Sequence, residues 1–423
     1  MKRGYTQMRC GLLGEHLGHS FSPQIHAQIA DYGYDLVELP QEQVGDFVRN
    51  GGYDAFNVTI PYKQTVIPFM DTVSPEAERI GAVNTVVRHP DGTVHGYNTD
   101  YFGFSYMIDR LGLDVKGKKA LVFGSGGASL TACAVLRDRQ VRELVVIGIE
   151  DNNPETLAKH GDTEIVVNAT PVGMYPKNGS TPVSLSLFPN CIAVLDVIYN
   201  PARTALLLEA EARKIPHING LYMLVAQAVK AFEFFTGDPS EEGIIDVITA
   251  QIEAQTKNVI LIGMPGCGKS TVGRLLAEKM NRPFHDADDA FTDMHGMTPA
   301  KAIESLGEDR FRQMEHEVLC ELGKQSGTVI ACGGGVVTRE YNYAPLHQNG
   351  VILYLKRELS RLATNGRPLS QKTSPEALFL ARKAGYEAFA DLQIQSTEIP
   401  EQTVAAMLEA WSLISRDGKE AHL

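Results

Sequence analysis

The sequence predicts an α/β fold class built around two glycine-rich strand–turn–helix units. The first observation is Asn258–Thr271, NVILIGMPGCGKST. The apolar run Val259–Ile262 has the composition of a buried parallel strand, and Val272–Lys279, beyond the glycine turn, has helical spacing. A phosphate-binding P-loop needs this context: glycines let backbone N–H groups converge on phosphate oxygens, and a helix N-terminus adds positive potential. The second observation is a strand, Lys119–Phe123, turned by Gly124-Ser125-Gly126-Gly127-Ala128 into a helix over Leu130–Asp138. That is the phosphate-binding turn of a Rossmann-like dinucleotide fold, although GxGG alone is a weak pattern. The third is position. A P-loop domain starts with its strand, so a new domain begins near Lys257, with 1–256 in front and 257–423 behind.

With 423 residues, 43% hydrophobic and 21% charged, the chain has ample core for two or three domains. A net charge of −12 argues against a nucleic-acid or anionic-membrane surface, so anionic substrates must be held by local Arg, Lys and helix ends. The six cysteines have neither metal-ligand nor disulfide-framework spacing, and Cys267 inside the P-loop reads as a small filler. The N-terminus has no apolar run long enough for a signal peptide, and no stretch approaches a membrane span, which predicts a cytoplasmic chain. Nothing in the sequence sets an oligomeric state.

In chain order, a short strand reaches Gly14, and His19-Ser-Phe-Ser-Pro-Gln-Ile-His26 follows. Ser22 has the character of an N-cap and Pro23 of a first helical residue. Ser20 and Ser22 then flank a helix N-terminus that welcomes a carboxylate, and a plain helix start explains the pair equally well. Ala55–Pro61 is a strand on which Asn57 and Thr59, two apart, share a face, with Lys63 just beyond. Asn84, Asn98 and Asp100 sit in apolar, strand-like segments where burial demands partners. After the first glycine turn come strands at Glu143–Gly148, Ile165–Ala169 (then Thr170) and Ala193–Val197 (then Tyr199). Asn219-Gly220 precedes a helix, Leu221–Phe235, carrying Met223 and Gln227, and Ile244–Ala254 is a further helix before a linker at 255–258. Past the P-loop, Arg282–Asp288 reads as a second strand with Asp286 and Asp288 on one face, and Arg312 falls on a helix. A buried strand, Val329–Cys332, runs into Gly333-Gly334-Gly335, Val351–Leu355 is another strand, Arg361–Leu369 reads as a lid, and Arg382 and Tyr386 share a helical turn.

HSFSPQIH, NVTIPYK, GAVNTV, GYNTD, GSGGAS, NATPVGM, DVIYNP and GLYMLVAQ occur in the order and spacing of shikimate dehydrogenase, which residues 9–250 resemble. The resemblance implies a two-lobed enzyme, with a substrate lobe at about 1–104 and 219–250 and a Rossmann-like nucleotide lobe at about 105–218. It implies that Ser20 and Ser22 hold the substrate carboxylate, and that Asn57, Thr59, Asn84, Asp100, Tyr199 and Gln227 ring its hydroxyls. Lys63 and Asp100 would be the catalytic pair reducing 3-dehydroshikimate. Gly124, Ser125, Gly126, Gly127, Ala128, Glu150, Thr170, Gly220 and Met223 would line the cofactor. One departure matters. The family carries arginines after the second strand of the nucleotide lobe for the NADP 2′-phosphate, whereas this chain has Gly148-Ile-Glu150-Asp-Asn-Asn153. An acidic residue there favours the free ribose hydroxyl of NAD. NADP comes first because the pathway enzyme uses it, with NAD as its rival.

GMPGCGKST, DAD, FRQME, CGGG, GRPL and the Arg382…Tyr386 pair resemble shikimate kinase over 257 to about 415, implying a P-loop domain with a parallel sheet. The resemblance implies that Asp288, Arg312, Gly334 and Arg382 bind shikimate, Asp288 accepting from the hydroxyl to be phosphorylated. ATP would lie on Gly266, Cys267, Gly268, Lys269, Ser270 and Thr271, with Lys269 at the β/γ-phosphates and Arg367 over the transferring group. Ser270 and Asp286 would hold Mg²⁺, and Arg361 would stack near the adenine. The expected partners are therefore small molecules, 3-dehydroshikimate and shikimate. The rival reading keeps the kinase and makes the front half a binding module or a quinate/shikimate dehydrogenase.

Overall fold

The computed structural model describes residues 4–18, 20–362 and 374–416, so His19 and Arg367 lie outside the described residues. The strands form three sheets.

The first sheet holds β1 (Arg9–Gly14), β2 (Gly33–Glu38), β3 (Ala55–Val58), β4 (Thr72–Val73), β5 (Thr85–Arg88) and β6 (Val94–Tyr97). Their order is β2-β1-β3-β5-β6-β4, and β5 runs antiparallel to both β3 and β6. Helix α1 (Ser22–Ile29) follows β1, and α2 (Gln41–Asn50) follows β2. Helix α3 (Pro75–Ile80) is bounded by local chemistry: Ser74 accepts from the Ala77 N–H at its start, and Gly81 closes it in the left-handed conformation. Helix α4 (Asp100–Arg110) leads out of this lobe.

The second sheet is all parallel, in the order β11-β10-β9-β7-β8. Its strands are β7 (Lys119–Phe123), β8 (Glu143–Ile147), β9 (Ile165–Asn168), β10 (Ala193–Asp196) and β11 (His217–Ile218), with α5 (Gly127–Asp138), α6 (Pro154–Ala158) and α7 (Ala205–Ala212) between them. Ala120 and Val122 of β7 enter one core while Leu121 and Phe123 enter another, as period-2 side chains must on a strand covered on both faces. The order reverses between β7 and β9, and such a switch point opens a crevice at the carboxyl ends of the strands. Helix α8 (Leu221–Thr236) returns to the first lobe, where Phe232 and Phe235 pack with Cys10, Ala55 and Val87.

Helix α9 (Ile244–Thr256) runs almost into β12 (Asn258–Ile262), leaving Lys257 alone between them. The linker expected at 255–258 is therefore taken up by the end of α9, two residues beyond its apolar pattern, and the first residue of β12. The third sheet, also parallel, has the order β13-β14-β12-β15-β16. It comprises β12, β13 (Phe284–Asp286), β14 (Val329–Ala331), β15 (Gly350–Lys356) and β16 (Leu392–Gln395). Around it lie α10 (Lys269–Met280), α11 (Ala287–His295), α12 (Pro299–Leu306), α13 (Glu308–Gly323), α14 (Tyr343–His347), α15 (Pro375–Phe389) and α16 (Pro400–Arg416). Ile260 and Ile262 face one core and Val259 and Leu261 the other, so β12 is central and buried on both faces. No helix among the described residues is long and apolar enough to cross a membrane.

Candidate active sites

In the first lobe Asn57, Asn84 and Gln227, three of the expected substrate residues, join one hydrogen-bond network. Asn57 on β3 pairs with Thr85 on β5; its amide donates to the Thr85 hydroxyl (3.1 Å), and its carbonyl accepts from the Tyr34 hydroxyl (2.8 Å). Asn84 Oδ1 accepts from the Thr99 N–H (2.7 Å) and from the Thr85 hydroxyl (3.1 Å). The Thr99 hydroxyl lies 3.4 Å from Gln227 Oε1 on α8, which closes the network across the lobe. Tyr34 also meets the Ser22 hydroxyl, and its ring stacks at 3.9 Å on His26, whose imidazole burial pushes down to about 3 and so keeps neutral. Buried hydrogen bonds that share partners in this way hold one another in place, which suits the reading of hydroxyl positions.

Lys63 and Asp100 meet at the network's edge. Nζ donates to Oδ2 at 2.6 Å, with the side chains 22% and 11% exposed. Asp100 is the first residue of α4 and directly follows Thr99, so the network also fixes the carboxylate's backbone. At α1 the helix starts one residue earlier than expected. Phe21 takes the N-cap position, Ser22 is helical, and it is the Ser20 hydroxyl that accepts from the Ser22 N–H (3.2 Å). Tyr199 packs on Phe21 with ring centroids 5.8 Å apart. Thr59 lies one residue past β3, its N–H bonded to Leu13 O (2.9 Å).

The glycine turn after β7 sits at the switch point. Gly124 has φ +115°, and a Cβ there would lie 2.7 Å from Ala169 O. Gly126 and Gly127 are exposed with open space around their Cβ positions, and Ser125 and Ala128 complete the turn. Thr170 is held by Asn168, whose Oδ1 accepts from both its N–H (3.0 Å) and its hydroxyl (2.7 Å). Gly220 is packed so closely that a Cβ would overlap Val197 O, and Met223 is buried in the core below. Glu150 lies in an exposed turn after β8.

In the third sheet, Lys269 Nζ donates to Gly263 O (2.9 Å) and Met264 O (3.1 Å), folded back on its own loop. Gly266 and Gly268 take positive φ, and Cys267 is buried, with Sγ 3.1 Å from the Cβ position of Gly263. Ser270 Oγ donates to Asp286 Oδ2 at 2.6 Å, and Thr271 follows on the exposed side of α10. Asp288 departs from expectation. The strand ends at Asp286, which caps α11 by accepting from the Asp288 N–H (3.0 Å), so Asp288 is helical and shares no strand face with Asp286. An Asp at a helix start satisfies an orphan N–H, and this outweighs strand extension here. Partial desolvation, with the Asp286 and Glu315 carboxylates nearby, pushes Asp288 up to about 6.

The GGG turn after β14 gathers the rest. The Cβ position of Gly333 lies 3.4 Å from Asp288 Oδ1, that of Gly334 lies 2.6 Å from Pro265 of the P-loop, and that of Gly335 would overlap the Arg312 guanidinium. Arg382 Nη1 donates to Gly334 O (3.0 Å), as does the Tyr386 hydroxyl. Arg312 is buried and paired with Glu315 (2.8 Å) and Glu308 (3.1 Å), leaving its Nε as a donor without a hydrogen-bond partner.

Residues 12–86 match the family model of the shikimate dehydrogenase substrate-binding domain, and residues 265–412 match that of shikimate kinase. A shikimate dehydrogenase (NADP(+)) of Clostridium perfringens strain SM101 is 36% identical over 250 residues, covering 54% of this chain and 92% of the relative. The chain belongs to the shikimate dehydrogenase family. A further relative of that description, from Caldanaerobacter subterraneus, is 36% identical over 266 residues, 56% of this chain and 95% of its own. Among solved structures, shikimate dehydrogenase 1 of Peptoclostridium difficile is 37% identical, with a TM-score of 0.52 over 58% of this chain and 98% of its own. The shikimate 5-dehydrogenase of Listeria monocytogenes, in complex with shikimate and NAD, is 30% identical, with a TM-score of 0.51 over 60% and 99%.

Within that family frame the chain's own residues test the cofactor. The open Gly126-Gly127 turn at the start of α5 fits a pyrophosphate. A 2′-phosphate finds no countercharge after β8, since no Lys or Arg occurs between Arg142 and Lys159. Four site residues escaped the sequence reading although three lie inside its motifs: Thr85, Thr99 and Glu315, with Tyr34 outside them. For Thr85 the signal available was its polarity within the apolar run 82–87, whereas Glu315 and Tyr34 lie in polar segments that give none. Arg357 is a fifth, its Nη1 3.7 Å from the Cβ position of Gly268 at the P-loop.

Proposed function

We propose that residues 1–256 reduce 3-dehydroshikimate to shikimate with a reduced nicotinamide nucleotide, and that residues 257–423 phosphorylate the 3-hydroxyl of shikimate with ATP·Mg²⁺. The observation that carries the first reaction is the Lys63–Asp100 pair, 2.6 Å apart at the edge of a network shaped to read hydroxyls. When bound, the nicotinamide supplies the hydride. Lys63 Nζ gives the proton that the forming alkoxide takes, and Asp100 holds the ammonium in place. Ser20 and Ser22 bind the carboxylate, while Asn57, Asn84, Tyr199 and Gln227 place the ring, with Thr59 beside them. The oxygen protonated by Lys63 is the one phosphorylated next, so the product of the front half is the substrate of the back half.

There Asp288 accepts the hydroxyl proton, while Arg382 and Arg312 attract the carboxylate around Gly334. Lys269 and Arg367 stabilise the transferring phosphoryl group. Ser270 and Asp286, whose side chains lie 2.6 Å apart, would hold Mg²⁺, which would neutralise charge on the phosphates. NADP is the first cofactor reading, in line with the relatives' descriptions. The Glu150 turn favours a second reading, NAD, and NADP is retained only if a cation outside that turn meets the 2′-phosphate. Rates of NADPH and NADH oxidation with 3-dehydroshikimate, and of ADP release with shikimate, test the proposal. Oxidation of neither nucleotide would refute the reductase.

A further inference from the structure

The two halves are joined by a buried polar seam as well as by the chain. The segment 347–350, from the end of α14 through a two-residue turn to the start of β15, reaches the loop after β10 of the second sheet. Asn349 Oδ1 accepts from the Ala202 N–H (2.8 Å), and Gln348 O accepts from the Arg203 N–H (2.9 Å). Arg203 Nη1 donates to His347 O (2.8 Å), and Asn178 Nδ2 to Gln348 Oε1 (2.8 Å). The His347 ring lies 3.1 Å from the Glu211 carboxylate on α7. His347, Gln348 and Asn349 are each no more than 5% exposed, so these bonds are made in low dielectric, where a lost partner is costly. Asn349 is itself oriented from behind, because its Nδ2 donates to Gly323 O at the end of α13 (3.3 Å).

The loop so held is the one that carries Tyr199, three residues before Ala202. Tyr199 packs on Phe21, which lies between Ser20 and Ser22. Phe21, Tyr199 and Leu221 line the same small cleft as Thr256, Ser326 and Asn349. The kinase half thus stands directly behind residues assigned to the substrate of the front half.

We propose that the 347–350 segment of the kinase half is a positioning element of the dehydrogenase site: Asn349 and the His347 and Gln348 carbonyls hold Ala202–Arg203, and through them Tyr199 and Phe21. The proposal rests on the function above, in which Tyr199 touches the substrate. In the full chain, Arg203→Ala and Asn349→Ala should each raise KM for 3-dehydroshikimate roughly three- to tenfold, the scale of one lost hydrogen bond. The kcat of reduction and both constants for phosphorylation should stay within about twofold, since Lys63, Asp100 and the P-loop lie on other segments. Arg203→Lys keeps a donor for His347 O and should recover most of the loss. Unchanged KM in both alanine variants would overturn the proposal. So would a loss spread equally over nucleotide KM and phosphorylation, the mark of general unfolding. An unaltered chain that reduces no 3-dehydroshikimate would instead overturn the function, and the two failures are thereby distinct.

Discussion

Lys63→Ala removes the proton donor and leaves Asp100 without its cation. Nζ and Oδ2 are 2.6 Å apart, and the side chains are 22% and 11% exposed. Breaking a fully buried pair costs about 3–5 kcal/mol, and water at the Lys63 side reduces this to about 2 kcal/mol. Loss of a positioned general acid lowers a rate by about 10²–10⁴-fold, equivalent to about 3–5 kcal/mol. A domain of ordinary stability, about 5–15 kcal/mol, survives the first cost. The chain should therefore stay folded while kcat for reduction falls at least about 100-fold and phosphorylation of shikimate is unchanged. The assay is nucleotide oxidation beside ADP release on one preparation, with Tm as control. Reduction at near the original rate would refute the assigned role, and parallel loss of both activities would show that Lys63 holds the fold rather than the proton.

Four further outcomes follow from the geometry. Burial and the Asp286 and Glu315 carboxylates push Asp288 up to about 6, and it must be ionised to accept a proton, so the phosphorylation rate should fall as pH drops through about 6, and Asp288→Asn should abolish most of the rate; a flat profile from pH 5 to 8 would contradict the role. Because that pKa is raised in the fold, the same group withdraws stability as pH rises from its ordinary 3.8 to about 6, so Asp288→Asn should raise Tm at pH 7. Gly334→Ala would drive a Cβ to 2.6 Å from Pro265 and should cripple phosphorylation while sparing reduction, as read by the same paired assays. Glu150→Arg replaces repulsion of a 2′-phosphate by attraction and should raise the NADPH/NADH ratio of kcat/KM by about tenfold or more; no change would place the 2′-position elsewhere.

The fold was legible where one strong local signal decides it. The P-loop and GxGG turns sit between a two-faced apolar strand and a helix, and β12 and β7 fall where those runs predict. The site was legible residue by residue but not as an assembly. Lys63 and Asp100 lie 37 positions apart, and only the sheet pairings of β3, β5 and β6 bring their segments together. Asp288 was misplaced because an i, i+2 pair of carboxylates fits a strand face as well as a helix cap, and Asp286 takes the cap. The supposed linker was misread because polar Gln255–Lys257 resembles a loop while the backbone continues as helix to Thr256. The seam at Arg203 and Asn349 spans positions too distant for any local pattern to register.

The central claim is that one chain makes shikimate and then phosphorylates it. The most direct measurement is a single incubation of the intact chain with 3-dehydroshikimate, reduced nicotinamide nucleotide and ATP·Mg²⁺, followed by mass spectrometry of the products. Shikimate 3-phosphate formed with one nucleotide oxidised and one ADP released per molecule is the predicted result. Shikimate that accumulates unphosphorylated, or 3-dehydroshikimate recovered unchanged, would contradict it.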